Sequence, residues 1–178
     1  MQGLRRALCS TAASSADLPP SFIAIAKKHG IAELVGKPFP VSDRFDRALR
    51  GLHIDSAENG RAVCSFRVEK ELQNSYGTLH GGAISTIVDV MGTLALLSVD
   101  HTRGGVSVDL NVSFVAAARP NDALVATGIV LKTGKTLGFT IVMHMVEKAL
   151  GGTGDSDCQR DAWIVYCKRV DSLVRLTV

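Results

Sequence analysis

The sequence predicts an α+β fold in which one long buried helix is wrapped by a curled antiparallel sheet of about six strands. From Gly81 to Val99 the chain carries a single charged side chain, Asp89, among mostly apolar residues. A helix that is apolar on nearly every side must be buried, in protein or in lipid. Alternating apolar and polar segments, typical of half-buried strands, lie on both sides of it. Because one helix cannot cover two sheet faces, a single sheet that curls around the helix is the simplest arrangement.

The same apolar stretch raises the question of a membrane span. A carboxylate at the centre of a bilayer costs about 2.5 kcal/mol or more. Ser85, Thr86 and Thr93 lower the hydropathy of the stretch further. The sequence therefore favours a core helix and predicts no transmembrane segment.

Two strands are expected before this helix, behind a short helical region. Pro19 and Pro20 open an amphipathic helix that ends near Gly30. Residues 41–49 predict a further helical turn or two. Alternation predicts strands over 52–57 and 62–68, and Asn59-Gly60 between them is the signal of a tight hairpin turn.

Four strands are expected after the helix. Val106 to Phe114 alternates with a clean period of two, and residues 123–131 and 136–147 flank a hairpin turn at 132–135. A last strand is centred on residues 163–167. The expected order is thus two strands, the long helix, then four strands.

Length and composition indicate one domain with tails. We assign residues 1–16 to a transit peptide or disordered tail, 17–50 to a helical cover, 51–170 to the domain and 171–178 to a C-terminal tail. A net charge of +3, without a basic stripe that carries interleaved aromatic residues, argues against nucleic acid as a partner. The four cysteines have no CxxC pairing and no histidine at zinc spacing, so we expect reduced thiols and no metal.

The first 16 residues contain Arg5, Arg6 and three serines but no acidic residue. That composition suits a mitochondrial transit peptide. The alternative is a plain disordered N-terminus. The expected location is mitochondrial or cytoplasmic, with the mitochondrial one favoured.

The start of the long helix, His80-Gly81-Gly82, has the composition of an oxyanion hole. Helix N–H groups at this end lack partners, and glycines let a carbonyl oxygen approach them closely. Such donors stabilise the developing charge in acyl transfer. Tight packing of the loop on the helix explains the glycines equally well.

Asp89 is the sharper signal, because an unpaired carboxylate on a buried helix costs several kcal/mol. Function is the favoured explanation, since water or a ligand then reaches the group. Asn74 and Ser107 flank the key segment and are candidates to hold a water molecule against Asp89. Taken alone, both are ordinary polar residues that face solvent.

The spacing along the helix constrains any joint role. Gly81 and Asp89 are eight residues apart, which corresponds to roughly 12 Å of helix axis. A donor and a base that act on one carbonyl carbon must both lie within about 3 to 4 Å of the reacting atoms. If both are catalytic, Asp89 must come from a second, antiparallel copy of the helix, as in a two-fold dimer.

Three motifs together resemble the hotdog-fold acyl-CoA thioesterases. They are Asn74-Ser-Tyr-Gly-Thr-Leu-His-Gly-Gly followed by Asp89, then Gly105-Val-Ser-Val-Asp-Leu-Asn-Val-Ser-Phe, then Leu131-Lys-Thr-Gly-Lys-Thr-Leu. The resemblance runs from about Arg61 to Glu147. It implies a hotdog fold, dimers paired into a homotetramer, and hydrolysis of acyl-CoA in fatty acid metabolism.

The resemblance also implies roles for individual residues. Asp89 would be the general base, with Asn74 and Ser107 orienting its water. The Gly81 N–H would receive the thioester oxygen, helped by His80. Coenzyme A, as part of the substrate and not as a cofactor, would contact Asp109, Phe114, Lys132, Gly134, Lys135, Thr136 and Leu137, and Lys168 and Arg169 are weaker candidates.

Some features depart from that pattern, and two other functions compete. The insertion Gly151 to Asp157 and the last strand, 162–170, do not align, and Tyr76 replaces a small or aliphatic residue near an acyl pocket expected at Leu79, Ile84 and Met91. A hotdog dehydratase would need a different Asp–His motif, which is absent. A non-catalytic acyl-CoA or lipid binder is the alternative from another class, although it has no need of a buried base.

Overall fold

The computed structural model describes residues 21–40, 45–103, 105–147 and 167–168. The expectations for residues 1–16, 151–157, 163–166 and 171–178 lie outside these residues. The described chain contains two α-helices and a six-stranded sheet. The helices are α1, Phe22–His29, and α2, Gly81–Val99. The strands are β1, Lys37–Pro38; β2, His53–Glu58; β3, Arg61–Arg67; β4, Ala123–Thr133; β5, Gly138–Glu147; and β6, Cys167–Lys168.

The described residues of the N-terminal region form one short α-helix and two 3₁₀ turns. The Ser21 hydroxyl accepts a hydrogen bond from the Ala24 N–H at 3.3 Å and caps α1. Gly30, with φ +88°, ends the helix. Phe22 is buried and its ring lies 5.0 Å from that of Phe39. Residues Phe45–Leu49 form a 3₁₀ turn, and Leu49 is buried beside the sheet.

The sheet follows chain order, β1-β2-β3-β4-β5-β6, and every pairing is antiparallel. The predicted Asn-Gly turn joins β2 to β3, because Asn59 and Gly60 both have positive φ, 49° and 79°. The predicted hairpin between β4 and β5 also forms, with Thr133 paired to Gly138. The sheet curls around α2 without closing.

The long helix occupies the predicted residues and forms the core with the sheet. Nine of its residues are buried, all in its second and later turns. They meet the inner faces of β3, β4 and β5, where Ala126, Leu124 and Val142 are each about 1% exposed. By length and composition α2 passes the test for a membrane span, but half of its most apolar window is buried inside the domain, as in a core helix.

Helix and sheet approach most closely at Gly128. A Cβ atom placed there would lie 2.6 Å from the Met91 carbonyl oxygen, which is well inside van der Waals contact. The absence of a side chain at this position lets the middle of α2 rest directly on β4. The position of α2, and of every group it carries, depends on this contact.

The outer face of the sheet is also apolar. Thr127 on β4 pairs with Val63 on β3 and with Met143 on β5, and Ile129 pairs with Ile141. These side chains, with Val125, point away from α2 and are only half-buried. The sheet therefore has apolar residues on both faces in the central strands.

The expectation of a strand over Val106–Phe114 is wrong for this chain. In the described structure, residues 105–120 contain a single bridge residue, Ser107, and no strand. An alternating pattern predicts which side chains share a face, but a strand also needs a neighbouring strand to pair with, and the sheet of the described residues contains only β1 to β6. The apolar residues of the segment are consequently exposed: Val106 by 62%, Val108 by 49%, Phe114 by 57% and Val115 by 63%.

Gly128→Ala tests the close approach of helix and sheet. We expect it to lower the free energy of unfolding by about 1–3 kcal/mol, because the new methyl group collides with rigid backbone. Gly51→Ala is the matched control, since its Cβ meets only the mobile end of the Glu69 side chain at 3.3 Å. Denaturant unfolding measures both, and equal midpoints for the two variants would contradict this packing.

Candidate active site

The N-terminus of α2 is built by His80 and two glycines. His80 is extended, with φ −69° and ψ 132°, and its Nδ1 accepts a hydrogen bond from the Gly82 N–H at 2.8 Å. The histidine therefore caps the helix. Gly81, as the first helical residue, has no carbonyl of its own helix for its N–H. The positive end of the helix dipole reinforces that donor.

The loop before the helix is fixed by Asn74. Its Oδ1 accepts hydrogen bonds from the N–H groups of Tyr76, at 3.0 Å, and Thr78, at 3.1 Å. Its Nδ2 lies 2.9 Å from the Thr78 hydroxyl. Gly77, with φ +75°, completes the turn, and Gln73 pairs with Leu79 across its base. Asn74 thus holds the shape of the loop that leads into His80.

Asp89 lies on a polar stripe of α2 that the sheet does not cover. Ser85, Asp89 and Thr93 are four residues apart, share one face of the helix and are half-buried. The Ser107 hydroxyl donates a hydrogen bond to Asp89 Oδ1. The carboxylate is half-buried, so water reaches it, as a functional role for this group requires.

The segment after the helix runs back along this stripe. Ser107 meets Asp89, and seven residues later the Phe114 ring lies against the helix start, where a Cβ on Gly81 would be 3.4 Å from its Cε1 atom. The segment therefore passes from the predicted base to the predicted oxyanion donor. Asp109, between its two ends, is exposed.

The predicted coenzyme-binding turn is a separate cluster at the β4–β5 hairpin. Lys132, Gly134, Lys135 and Thr136 are exposed and Leu137 is half-buried. The Gly134 N–H donates to the Leu137 carbonyl at 2.8 Å and closes the turn. In one chain the predicted residues therefore form three groups: His80, Gly81 and Asn74 at the helix start, Asp89 with Ser107, and this turn.

An apolar pocket opens between the first half of α2 and the sheet. It is lined by Leu79 and Ile84, as expected, together with Phe66 and Val88, and its empty volume including the mouth is about 290 Å³. Met91 was expected to line it but is fully buried one turn deeper, where it packs on the sheet. The pocket begins one helical turn from Gly81.

Other chemistries find less support in the described residues. Cys64 is fully buried on β3, and burial raises the pKa of its thiol to about 12, so it is not a thiolate nucleophile at neutral pH. No group of three or more His, Cys, Asp or Glu residues there has the arrangement of a metal site. The half-buried carboxylate on α2 is the stronger candidate for chemistry.

Sequence reasoning missed two residues near these groups. Thr78 is hydrogen-bonded to the Asn74 side chain. The sequence feature that could have indicated this contact is the spacing of four residues with Gly77 between them, which is typical of a tight turn. Arg103 donates a hydrogen bond from Nη2 to the Lys135 carbonyl. These two residues are 32 positions apart, so no local pattern indicated their contact.

Comparisons agree with this combination of fold and site. Residues 76–146 match the family model described as the thioesterase superfamily. The chain is 43% identical over 107 residues to acyl-coenzyme A thioesterase 13 of Homo sapiens, covering 60% of this chain and 76% of that protein. The fold also matches the crystal structure of zebra fish thioesterase superfamily member 2, with 34% sequence identity and a TM-score of 0.62. The match covers 74% of this chain and 88% of the zebra fish chain. The chain belongs to the thioesterase superfamily and has its hotdog fold.

Asn74→Ala tests whether this side chain holds the loop. We expect the free energy of unfolding to fall by roughly 1–3 kcal/mol, because two loop N–H groups lose their acceptor. Amide hydrogen exchange should accelerate at Tyr76 and Thr78. Asn74→Asp keeps the acceptor oxygen and serves as control: protection should persist in it, and equal exchange in both variants would contradict the account.

Proposed function

We propose that this protein is an acyl-CoA thioesterase that hydrolyses acyl-CoA to coenzyme A and a free fatty or aryl acid. The observation that carries the proposal is Asp89, a water-accessible carboxylate that accepts a hydrogen bond from a hydroxyl group and lies on a helix whose first N–H, that of Gly81, has no acceptor within the helix. The identity to acyl-coenzyme A thioesterase 13 supports the same substrate class. Thioester hydrolysis needs an activated water and stabilisation of an oxyanion, and the site offers groups for both.

The N-terminus of α2 would polarise the thioester. Its carbonyl oxygen accepts a hydrogen bond from the Gly81 N–H, and charge that develops on this oxygen meets the positive end of the helix dipole. His80 holds the first turn through its bond to the Gly82 N–H. The lack of a side chain at Gly81 permits the approach.

Asp89 would act as the general base. It removes a proton from water as the oxygen attacks the carbonyl carbon, and the Ser107 hydroxyl orients the carboxylate by its hydrogen bond to Oδ1. Asn74 would shape the pocket for that water through the loop it fixes. The carbon–sulfur bond then breaks, the sulfur takes up a proton to give the coenzyme A thiol, and the acid product ionises.

This chemistry would need two copies of the chain. Gly81 and Asp89 of one helix are separated by roughly 12 Å, so each Gly81 would work with Asp89 of the partner subunit. The exposed apolar residues between Val106 and Val115 support this arrangement, because they flank Asp89 and Gly81 and would be covered by a second chain. The dimer would therefore complete the site as well as bury this surface.

A pair of such dimers would form a tetramer. The outer face of the sheet supports this step, since Val63, Val125, Ile129, Ile141 and Met143 remain half-exposed on it. Sheets with apolar outer faces commonly pack face to face. The alternation of buried and half-buried residues leaves a second apolar layer that α2 does not use.

The substrate would lie between these groups. Lys132, Gly134, Lys135, Thr136 and Leu137 would contact the nucleotide, with Asp109 and Phe114 further along. The acyl chain would enter the apolar pocket beside Leu79 and Ile84. The coenzyme A portion is substrate, so the reaction as proposed uses no cofactor, and the N-terminal composition favours a mitochondrial over a cytoplasmic location.

Asp89→Asn tests the proposed base. We expect thiol release from a panel of acyl-CoAs to lose about 10²-fold or more in kcat, because general-base assistance disappears while the shape is kept. Binding of the same acyl-CoAs should persist. The panel also identifies the preferred acyl chain in the unaltered protein.

Glu33→Gln is the matched control, because it also exchanges one carboxylate for an amide but lies exposed in the N-terminal cover, paired with Lys37. It should retain full turnover. Identical turnover in the Asp89→Asn variant and the unaltered protein would contradict the role of Asp89. Binding without turnover in the unaltered protein would leave a non-catalytic acyl-CoA binder.

A further inference from the structure

We propose that Arg103 is a positioning residue for recognition of the nucleotide part of the substrate. Its side chain holds the coenzyme-binding turn against the end of α2. This inference rests on the proposed function, because it names a further residue that recognises coenzyme A. The ligand chemistry is that of a phosphorylated nucleotide.

The loop that follows α2 directs Arg103 toward the turn. Asp100 caps the end of the helix, and its Oδ1 accepts hydrogen bonds from the Thr102 N–H at 3.0 Å and the Thr102 hydroxyl at 2.6 Å. The Arg103 Nε lies 3.9 Å from Asp100 Oδ2. One carboxylate thus orders both the loop and the guanidinium.

From this position the guanidinium reaches across to the β4–β5 hairpin. Its Nη2 donates to the carbonyl oxygen of Lys135, at the centre of the turn that carries the predicted coenzyme contacts. The side chain of Arg103 is 39% exposed, so it lies between the domain and solvent. Because residues 131–136 are otherwise exposed, this contact ties the tip of the hairpin to the body of the domain.

The planar guanidinium suits this task better than an ammonium group. Nε faces Asp100 while Nη2 binds the Lys135 carbonyl, so the two contacts fix the orientation of the guanidinium plane. A lysine at this position would present a single charged atom on a flexible chain. The turn, and with it the lysine side chains, would then lose its fixed place relative to α2.

The contact also brings a third cationic residue to the turn. Arg103 binds the main chain of the turn that carries Lys132 and Lys135, and Asp100 is the carboxylate that the guanidinium faces. Phosphate groups are favoured where several cations converge, and arginine is especially suited to them. An anionic nucleotide would therefore meet a preformed turn at one end while its thioester reaches the catalytic groups.

The test compares two substrates with the same acyl group, acyl-CoA and the acyl-pantetheine thioester that lacks the nucleotide. For Arg103→Ala we expect KM for acyl-CoA to rise about tenfold, as expected from loss of a charge-assisted contact. We expect kcat to change by less than about twofold, and KM for acyl-pantetheine to stay the same. Arg103→Lys should show most of this KM increase. Added salt should reduce the difference in KM for acyl-CoA between the unaltered protein and Arg103→Ala, because exposed charges are screened.

Arg50→Ala is the matched control, since Arg50 also donates to a main-chain carbonyl, that of Arg47, but lies in the N-terminal cover. It should leave both KM values unchanged. An Arg103→Ala variant whose KM rises equally for both substrates, or for neither, would overturn the inference. Should the unaltered protein hydrolyse neither thioester, the proposed function fails, and calorimetry with coenzyme A decides separately: equal Kd values for the protein and Arg103→Ala would overturn the role of Arg103.

Discussion

The length of one helix, α2, limits what this protein can do. This helix carries Gly81 at its tip and Asp89 two turns later, and the roughly 12 Å between them is fixed by the rise of the α-helix. The helix itself is held by the sheet, because Gly128 lets its backbone rest directly on β4 beside Met91. A donor and a base held rigidly this far apart cannot act on one carbonyl carbon, so the proposed mechanism requires that two helices meet.

The surface of the single chain is consistent with that requirement. The apolar residues that follow the helix, from Val106 to Val115, are exposed beside the groups that need a partner. Asp89 is tolerated on an apolar helix because it lies on the uncovered stripe and accepts a hydrogen bond from Ser107. The same arrangement that leaves the carboxylate solvated therefore leaves the adjacent apolar segment uncovered.

The sequence predicted the parts of the structure that depend on local patterns. Both ends of α2, the Asn59-Gly60 turn and the β4–β5 hairpin follow from residue type and period, and each is confirmed. The segment Val106–Phe114 has the right period but is not a strand, because the period of a sequence does not determine whether a neighbouring strand pairs with it. Tertiary packing, which no local pattern encodes, determines the contact between Arg103 and Lys135 and the complete burial of Met91.

The candidate site was predictable to the same extent. Glycines at a helix start and a lone acid within an apolar helix are visible in the sequence, and so Gly81 and Asp89 could be named. The hydrogen bonds of Asn74 within its own loop could not, because a polar loop residue has many partners available. The roles proposed for these residues depend on an arrangement of two chains.

Complementation between two inactive variants tests that arrangement most directly. Asp89→Asn removes the base, and Gly81→Pro removes the N–H donor at a helix position where proline is tolerated and where His80, with ψ 132°, accepts it. If each site combines Gly81 of one chain with Asp89 of the other, coexpression of the two variants should restore about a quarter of the native sites, because half of the randomly formed dimers are mixed and each has one intact site. A mixed population no more active than the two variants measured separately would contradict a site shared between subunits.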